Sequence, residues 1–207
     1  MSLFVTGTGT DIGKTHVSCG MLRHRPVRAL KPVMSGYDLL DPAASDAGRL
    51  LAARGIAAGA EDIAAISPWR FAAPLSPDMA AAREGRRIDF DALVAFCRSD
   101  EPVLIEGVGG AMVPLDDRHT VADWIAALSI PVLLVGGSYL GALSHMLTAL
   151  AALRDARIAA VVINETPGSS VKLADTADTL RRFCAAPLHV VTRDAPDLDF
   201  AALAALI

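Results

Sequence analysis

The segment FVTGTGTDIGKTHVS, residues 4–18, sets three glycines ahead of a lysine and a threonine, residue types that together can hold a chain of phosphates. A helix start leaves backbone N–H groups unpaired, and a glycine-rich turn can aim several of them at one anion. Gly13 lets the backbone approach closely, Lys14 can reach terminal phosphates, and the Thr15 hydroxyl is of the type that meets a magnesium ion. In the common G-x-x-x-x-G-K-S/T spacing the first glycine would fall on Thr8; here it stands one residue earlier, at Gly7. A dinucleotide fingerprint fits worse, because it needs a glycine where Ile12 stands.

Three other positions could act with this loop. Glu106 ends the apolar run VLIE and is followed by GVGG, the pattern of an acidic strand end that holds magnesium opposite a phosphate loop, with Glu in place of the more usual Asp. Lys31 ends VRALK ahead of Pro32; it reads either as a solvated surface charge or as a second cation for an anionic intermediate. Asn164 ends AAVVIN. Asp46, in ASDAGRLL, reads on spacing alone as a helix N-cap or first-turn acid, and Thr120 with Asp123 as a capping pair. The histidines His16, His24, His119, His145 and His189 form no pair at metal-ligand spacing.

Such residues need a scaffold that gathers strand ends. Short apolar runs recur at LFVTG, VRALKPV, PVLIEGVGG, PVLLVGG, IAAVVINE and PLHVVTR, separated mostly by helix-length segments. That alternation predicts right-handed βαβ crossovers and an α/β fold, a three-layer doubly wound, mostly parallel sheet of the P-loop NTPase, Rossmann-like kind. The candidates then lie at the carboxyl ends of the strands, where open sheets place their crevice. Residues 36–100 form a long excursion in which helices are expected at DAGRLLAARG and FDALVAFCRS and a proline-bearing loop at SPWRFAAPLSPD. No linker marks a boundary, so residues 1–207 are expected to form one domain.

Composition narrows the classes of function. Hydrophobic residues make up 53% of the chain and aromatic ones 5%, so the core is built from Ala, Leu, Val and Ile. A net charge of -4 offers no basic surface to nucleic acid. Cys19, Cys97 and Cys184 are far apart and odd in number, which argues against a disulfide framework and fits a reduced, cytoplasmic protein without a visible targeting segment. No charge stands between Asp123 and Arg154, yet Pro131, Gly136, Gly137, Ser138, Ser144 and His145 interrupt that stretch; a buried strand and a buried helix are expected there, not a membrane span.

The order of FVTGTGTDIGKT, KPVMSG, SDAGRL, FAAPLSPDMAA, IEGVGG, PLDDRHTVADW and PVLLVGGSYLGALSH resembles the dethiobiotin synthetases, whose glycine loop has this longer form. The resemblance implies ATP-dependent closure of a cyclic urea on 7,8-diaminopelargonic acid with carbon dioxide, through a carbamate and its mixed anhydride with phosphate. It implies magnesium ligands at Thr15, Asp46 and Glu106, and phosphate contacts from Asp11, Ile12, Gly13, Lys14, Thr15 and His16 and from the turn Glu106, Gly107, Val108 and Gly109. Carbamate and diamine contacts fall on Thr10, Lys31 and Ser35, and the nucleotide base region on Asn164. The turn Leu140, Gly141, Ala142, Leu143, Ser144 is expected to hold the substrate carboxylate from a neighbouring subunit, which implies a homodimer with shared sites. Three places depart from the family pattern: Ser144 where Asn is frequent, Asp78 where His is frequent, and the base-reading region at Asn164, Glu165 and around Thr192 to Asp194. Two other readings share the sheet: a P-loop amide synthase of the corrinoid type and a dimer-switch ATPase of the partitioning type. The first usually carries a glutaminase domain, and the second an extra lysine early in its loop that this chain lacks between Phe4 and Gly13.

Overall fold

Strand β1 (Leu3–Gly7) is buried along its whole length, and its side chains alternate between two apolar clusters: Leu3 and Val5 join one, Phe4 the other. Burial on both faces is what a parallel strand flanked by helices requires, and it accounts for the unbroken apolar runs. The computed structural model describes residues 1–192 and 197–207. After β1 come helix α1 (Lys14–His24), β2 (Arg28–Leu30) and β3 (Val33–Ser35). The excursion holds α2 (Asp46–Ala53), α3 (Ala60–Ile66), β4 (Trp69–Phe71), α4 (Pro77–Arg83) and α5 (Phe90–Cys97). The chain then runs through β5 (Val103–Glu106), α6 (Val121–Leu128), β6 (Val132–Gly137) and α7 (Ala142–Ala152). It ends with β7 (Ile158–Asn164), α8 (Leu173–Leu180), β8 (Leu188–Val191) and α9 (Asp197–Ala204).

Six strands form one sheet in the order β2-β5-β1-β6-β7-β8, and every pairing in it is parallel. Helices cover both faces, so the expected three-layer doubly wound class holds. On the α1 and α9 side, Leu3, Val5, Val17, Met21 and Phe200 share a cluster. On the other side Phe4 meets Trp124 edge to face at 4.8 Å, both rings fully buried. Truncating either ring would cost about 3–5 kcal/mol.

The excursion differs in one respect from its reading as helices and loop. Trp69–Phe71, inside the expected proline-bearing loop, pairs in parallel with Val33–Ser35 as a second, two-stranded sheet. Three residues are too few to show a strand pattern by themselves; the partner supplied by β3 makes them one. Residues of the excursion such as Leu51, Ile63, Phe71 and Leu93 belong to the same apolar cluster as Phe4 and Ile105. The stretch expected to form a buried helix after β6 is buried on one side only: α7 covers Ala142, Met146 and Ala149 and leaves Ser144, His145 and Thr148 exposed. Among the described residues no helix is long and apolar enough to cross a membrane.

Candidate active site

The ends of β1, β2 and β5 bring together residues that are far apart in the chain. β1 and β5 are adjacent in register, Val5 opposite Glu106, and β2 lies beside β5 with Leu30 opposite Ile105. Lys31, the residue after β2, and Glu106, the last of β5, therefore meet beneath the start of α1. Gly13 precedes that helix at φ +96°, a left-handed conformation that glycine adopts without the clash a Cβ would bring. The tight turn has a second holder. Asn164, at the end of β7, donates from Nδ2 to the Ile12 carbonyl at 3.1 Å and packs against the face of Gly13 where a side chain would sit.

Asp46 arrives from the excursion. It is the first residue of α2, whose cap is the neighbouring Ser45: the Ser45 hydroxyl accepts from Gly48 N at 3.1 Å, leaving the Asp46 carboxylate for other partners. Asp46 Oδ1 and Glu106 Oε1 both lie within reach of the Thr15 hydroxyl, at 2.8 and 2.7 Å. Lys31 Nζ donates to Glu106 Oε1 at 2.9 Å and to Gly107 O at 2.8 Å, and pairs with Asp46 Oδ2 at 3.0 Å. Lys31 is thus no surface charge; it is 3% exposed. Lys14 Nζ donates to Gly9 O at 2.7 Å.

These contacts set the charge states. Burial alone would drive the Lys31 ammonium toward neutrality, but attraction and hydrogen bonds from Glu106 and Asp46 outweigh it and hold its pKa above the ordinary value. Burial likewise pushes Asp46 up, and Lys31, the Thr15 hydroxyl and Lys14 together bring it below the usual carboxylate range. Lys14 has no such partner: burial, then repulsion from Lys31, lowers it from 10.5 to about 8 despite the attraction of Glu106, Asp46 and Asp11. Burial, with Arg23 and Arg49, also lowers His16.

Beside this cluster opens a cavity of about 950 Å³, lined by Thr10, Asp11, Gly13, Lys14, Thr15, His16, Lys31, Ser35 and Asp46 among the expected residues, with Val108 and Gly109 from the turn after β5. The Ser35 hydroxyl is buried and has no hydrogen-bond partner among the described residues. Ile12, Glu106 and Gly107 do not line the cavity; Glu106 is fully buried and reaches the lining residues Thr15 and Lys31 through its hydrogen bonds. Leu140, Gly141, Ala142, Leu143 and Ser144 do not line this cavity, and Leu140 is 91% exposed. Asn164 is likewise behind the loop. Of the stretch Thr192 to Asp194, Arg193 and Asp194 lie outside the described residues. The cavity also has lining residues that spacing did not point to: Met34, Tyr37, Arg49, Pro74, Leu75 and Val113. Arg49 stands one helical turn after Asp46 on α2, a signal that was present in SDAGRL.

The residues present fit a hard divalent cation. Thr15, Asp46 and Glu106 offer oxygen donors only, two of them carboxylates, and Glu106 Oε2 is buried with no partner among the described residues.

A parallel sheet with a glycine loop leading from its first strand into a helix, and an acidic strand end beside it, defines a P-loop nucleotide-binding protein. Solved structures agree at the level of fold: the cell division ATPase MinD of Pyrococcus furiosus gives a TM-score of 0.51 at 15% identity, covering 98% of this chain and 88% of that one. The ParA family ATPase of Chlorobium tepidum gives 0.52 at 14% identity, covering 93% and 84%. The family model described as an AAA domain matches residues 1–192. Sequence relatives narrow this further. The ATP-dependent dethiobiotin synthetase of Acidiphilium cryptum is 55% identical over 94% of this chain and 93% of its own length. That of Methylobacterium nodulans is 48% identical over 93% of each. The chain belongs to the ATP-dependent dethiobiotin synthetase family, ligase-type enzymes of biotin biosynthesis that use ATP as a co-substrate.

Proposed function

We propose that the chain joins carbon dioxide to 7,8-diaminopelargonic acid and closes the cyclic urea of dethiobiotin, converting ATP to ADP and phosphate. The observation that carries this reading is that Thr15 and Lys31 each lie within hydrogen-bond distance of both Asp46 and Glu106 at the phosphate loop, with Thr15, Lys31 and Asp46 lining a roomy cavity. Its volume of about 950 Å³ is at the upper end of small-molecule sites, which suits a nucleotide and a second substrate together.

In this reading one amine of the diamine attacks carbon dioxide and loses a proton, giving a carbamate. A carbamate oxygen then attacks the terminal phosphorus of ATP as the bond to the ADP oxygen breaks. The second amine attacks the carbonyl carbon, phosphate leaves, and a proton is released as the ring closes. The difficulty is electrostatic, because a carbamate must approach a polyphosphate. Lys14 and the N–H groups of Asp11 to His16 take the phosphates, and Lys31, Thr10 and Ser35 hold and orient the carbamate and diamine. A magnesium ion held by Thr15, Asp46 and Glu106 would supply further positive charge at the phosphate oxygens. No side chain acts as a covalent nucleophile.

The turn Leu140 to Ser144 completes the site of a second copy, so the working form is a homodimer in the cytoplasm. The 36–100 excursion and the sheet act as one domain, a view supported by their common apolar cluster. The fold is equally that of switch ATPases, so the test is coupling: ADP should form only when both the diamine and bicarbonate are present. ADP formation at one rate with or without them would replace the synthetase by a switch.

A further inference from the structure

Lys31 has no N–H to spare beyond the contacts it makes within the chain. An ammonium carries three donors. Three oxygens take them: Glu106 Oε1 at 2.9 Å, Gly107 O at 2.8 Å and Asp46 Oδ2 at 3.0 Å. Lys31 is 3% exposed and Glu106 fully buried, whereas Asp46 is 41% exposed and lines the cavity, so the bond to Asp46 is the one most open to exchange. A lysine so satisfied cannot also grip a carbamate; it has to give up a partner first.

The carboxylates are in the mirror-image position. Asp46 uses Oδ2 on Lys31 and Oδ1 on Thr15, Glu106 uses Oε1 on both, and Glu106 Oε2 alone is left without a partner among the described residues. The charges of Asp46 and Glu106 are already offset by those of Lys31 and Lys14, with Asp11 and Arg49 at the rim. A divalent cation entering without phosphates would therefore meet a neutral cluster and a competing ammonium.

We propose that Lys31 is the built-in counter-ion of the Asp46 and Glu106 pair, a positioning residue that holds the two carboxylates until a divalent cation arriving with the nucleotide displaces its ammonium toward the carbamate. The inference rests on the reading of Asp46 and Glu106 as metal ligands and adds a coupling to it. Lys31 is freed for the substrate only when the metal and nucleotide are in place.

The test is a titration of nucleotide-free protein with Mn2+, reading the free ion by electron paramagnetic resonance, for the wild type, Lys31→Gln and Lys31→Met. Removing the competing charge should tighten Mn2+ binding by at least about tenfold, and a non-hydrolysable ATP analogue should narrow the gap. A lysine that only packed the site would do the reverse, loosening the ligands when removed. Equal or weaker Mn2+ binding in folded variants overturns the inference alone, provided the wild type with the analogue holds the ion. A wild type that holds no Mn2+ even with the analogue overturns the metal reading beneath it. A second measurement needs no change at Lys31. The chain has three lysines, Lys14, Lys31 and Lys172. In protein labelled with 15N-lysine, and assigned with Lys14→Arg and Lys172→Arg, the Lys31 Nζ signal should shift and exchange faster with water once Mg2+ and the analogue are added. A signal that stays in place contradicts displacement, whatever the fate of the variants.

Discussion

Lys14 and Lys31 are two of only three lysines in a chain with sixteen arginines. A compact ammonium suits both sites, since a guanidinium is larger, planar and cannot give up its charge. Their surroundings differ, and so should their variants. In the proposed reaction Lys14 contacts the phosphates, so Lys14→Ala should weaken ATP binding and every later step together. In the same proposed reaction the Lys31 charge is felt most where the carbamate meets the phosphoryl group, so in Lys31→Ala kcat should fall on the order of 100-fold while ATP affinity changes far less. Nucleotide titration and saturating turnover separate the two; equal kcat in Lys31→Ala and the wild type would contradict the assignment. Lys14 also predicts a pH dependence. Its folded pKa, about 8, lies below the ordinary 10.5. The unfolded chain therefore binds the extra proton between those values, and this group's contribution to stability rises with pH across that window. Nucleotide affinity goes the other way: phosphate favours the charged lysine, so binding above about pH 8 must take up a proton. ATP affinity should fall roughly tenfold between about pH 7 and about pH 9 in the wild type. A flat profile would place the Lys14 pKa elsewhere.

At the scale of elements, the join between β1 and α1 is the most constrained piece. Gly13→Ala would force a methyl into the left-handed region and against the Asn164 amide. The backbone alone costs about 1–2 kcal/mol, and the displaced Asn164 would release the Ile12 carbonyl it now holds. Nucleotide affinity should drop at least about tenfold with the sheet intact by circular dichroism; unchanged affinity would mean the loop tolerates that strain. This join was legible in the sequence because its glycines, lysine and threonine act locally. The parallel sheet was legible for a similar reason, since strands buried on both faces read as apolar runs. The path of residues 36–100 was not. β4 pairs with β3, and Met34, on β3, and Tyr37 and Pro74, just beyond the two strands, line the cavity. Asp46 was ambiguous for a related reason: spacing puts it at a helix start, but only the fold shows that Ser45 caps the helix and leaves Asp46 to face Thr15 and Lys31.

For the whole molecule, the side of α7 that was expected to be buried is open, and beside it Leu140 is 91% exposed in a stretch without charge from Ala122 to Leu153 apart from Asp123. If this surface meets a second copy, Leu140→Asp should yield monomers in sedimentation that still bind ATP but turn over poorly. A fully active monomer would contradict the shared site. The central claim is tested most directly by the product. Purified protein incubated with 7,8-diaminopelargonic acid, 13C-bicarbonate and Mg-ATP should give, by mass spectrometry, dethiobiotin carrying the label in its ring, in equal amount to the ADP formed. Hydrolysis of ATP with no labelled dethiobiotin would contradict it.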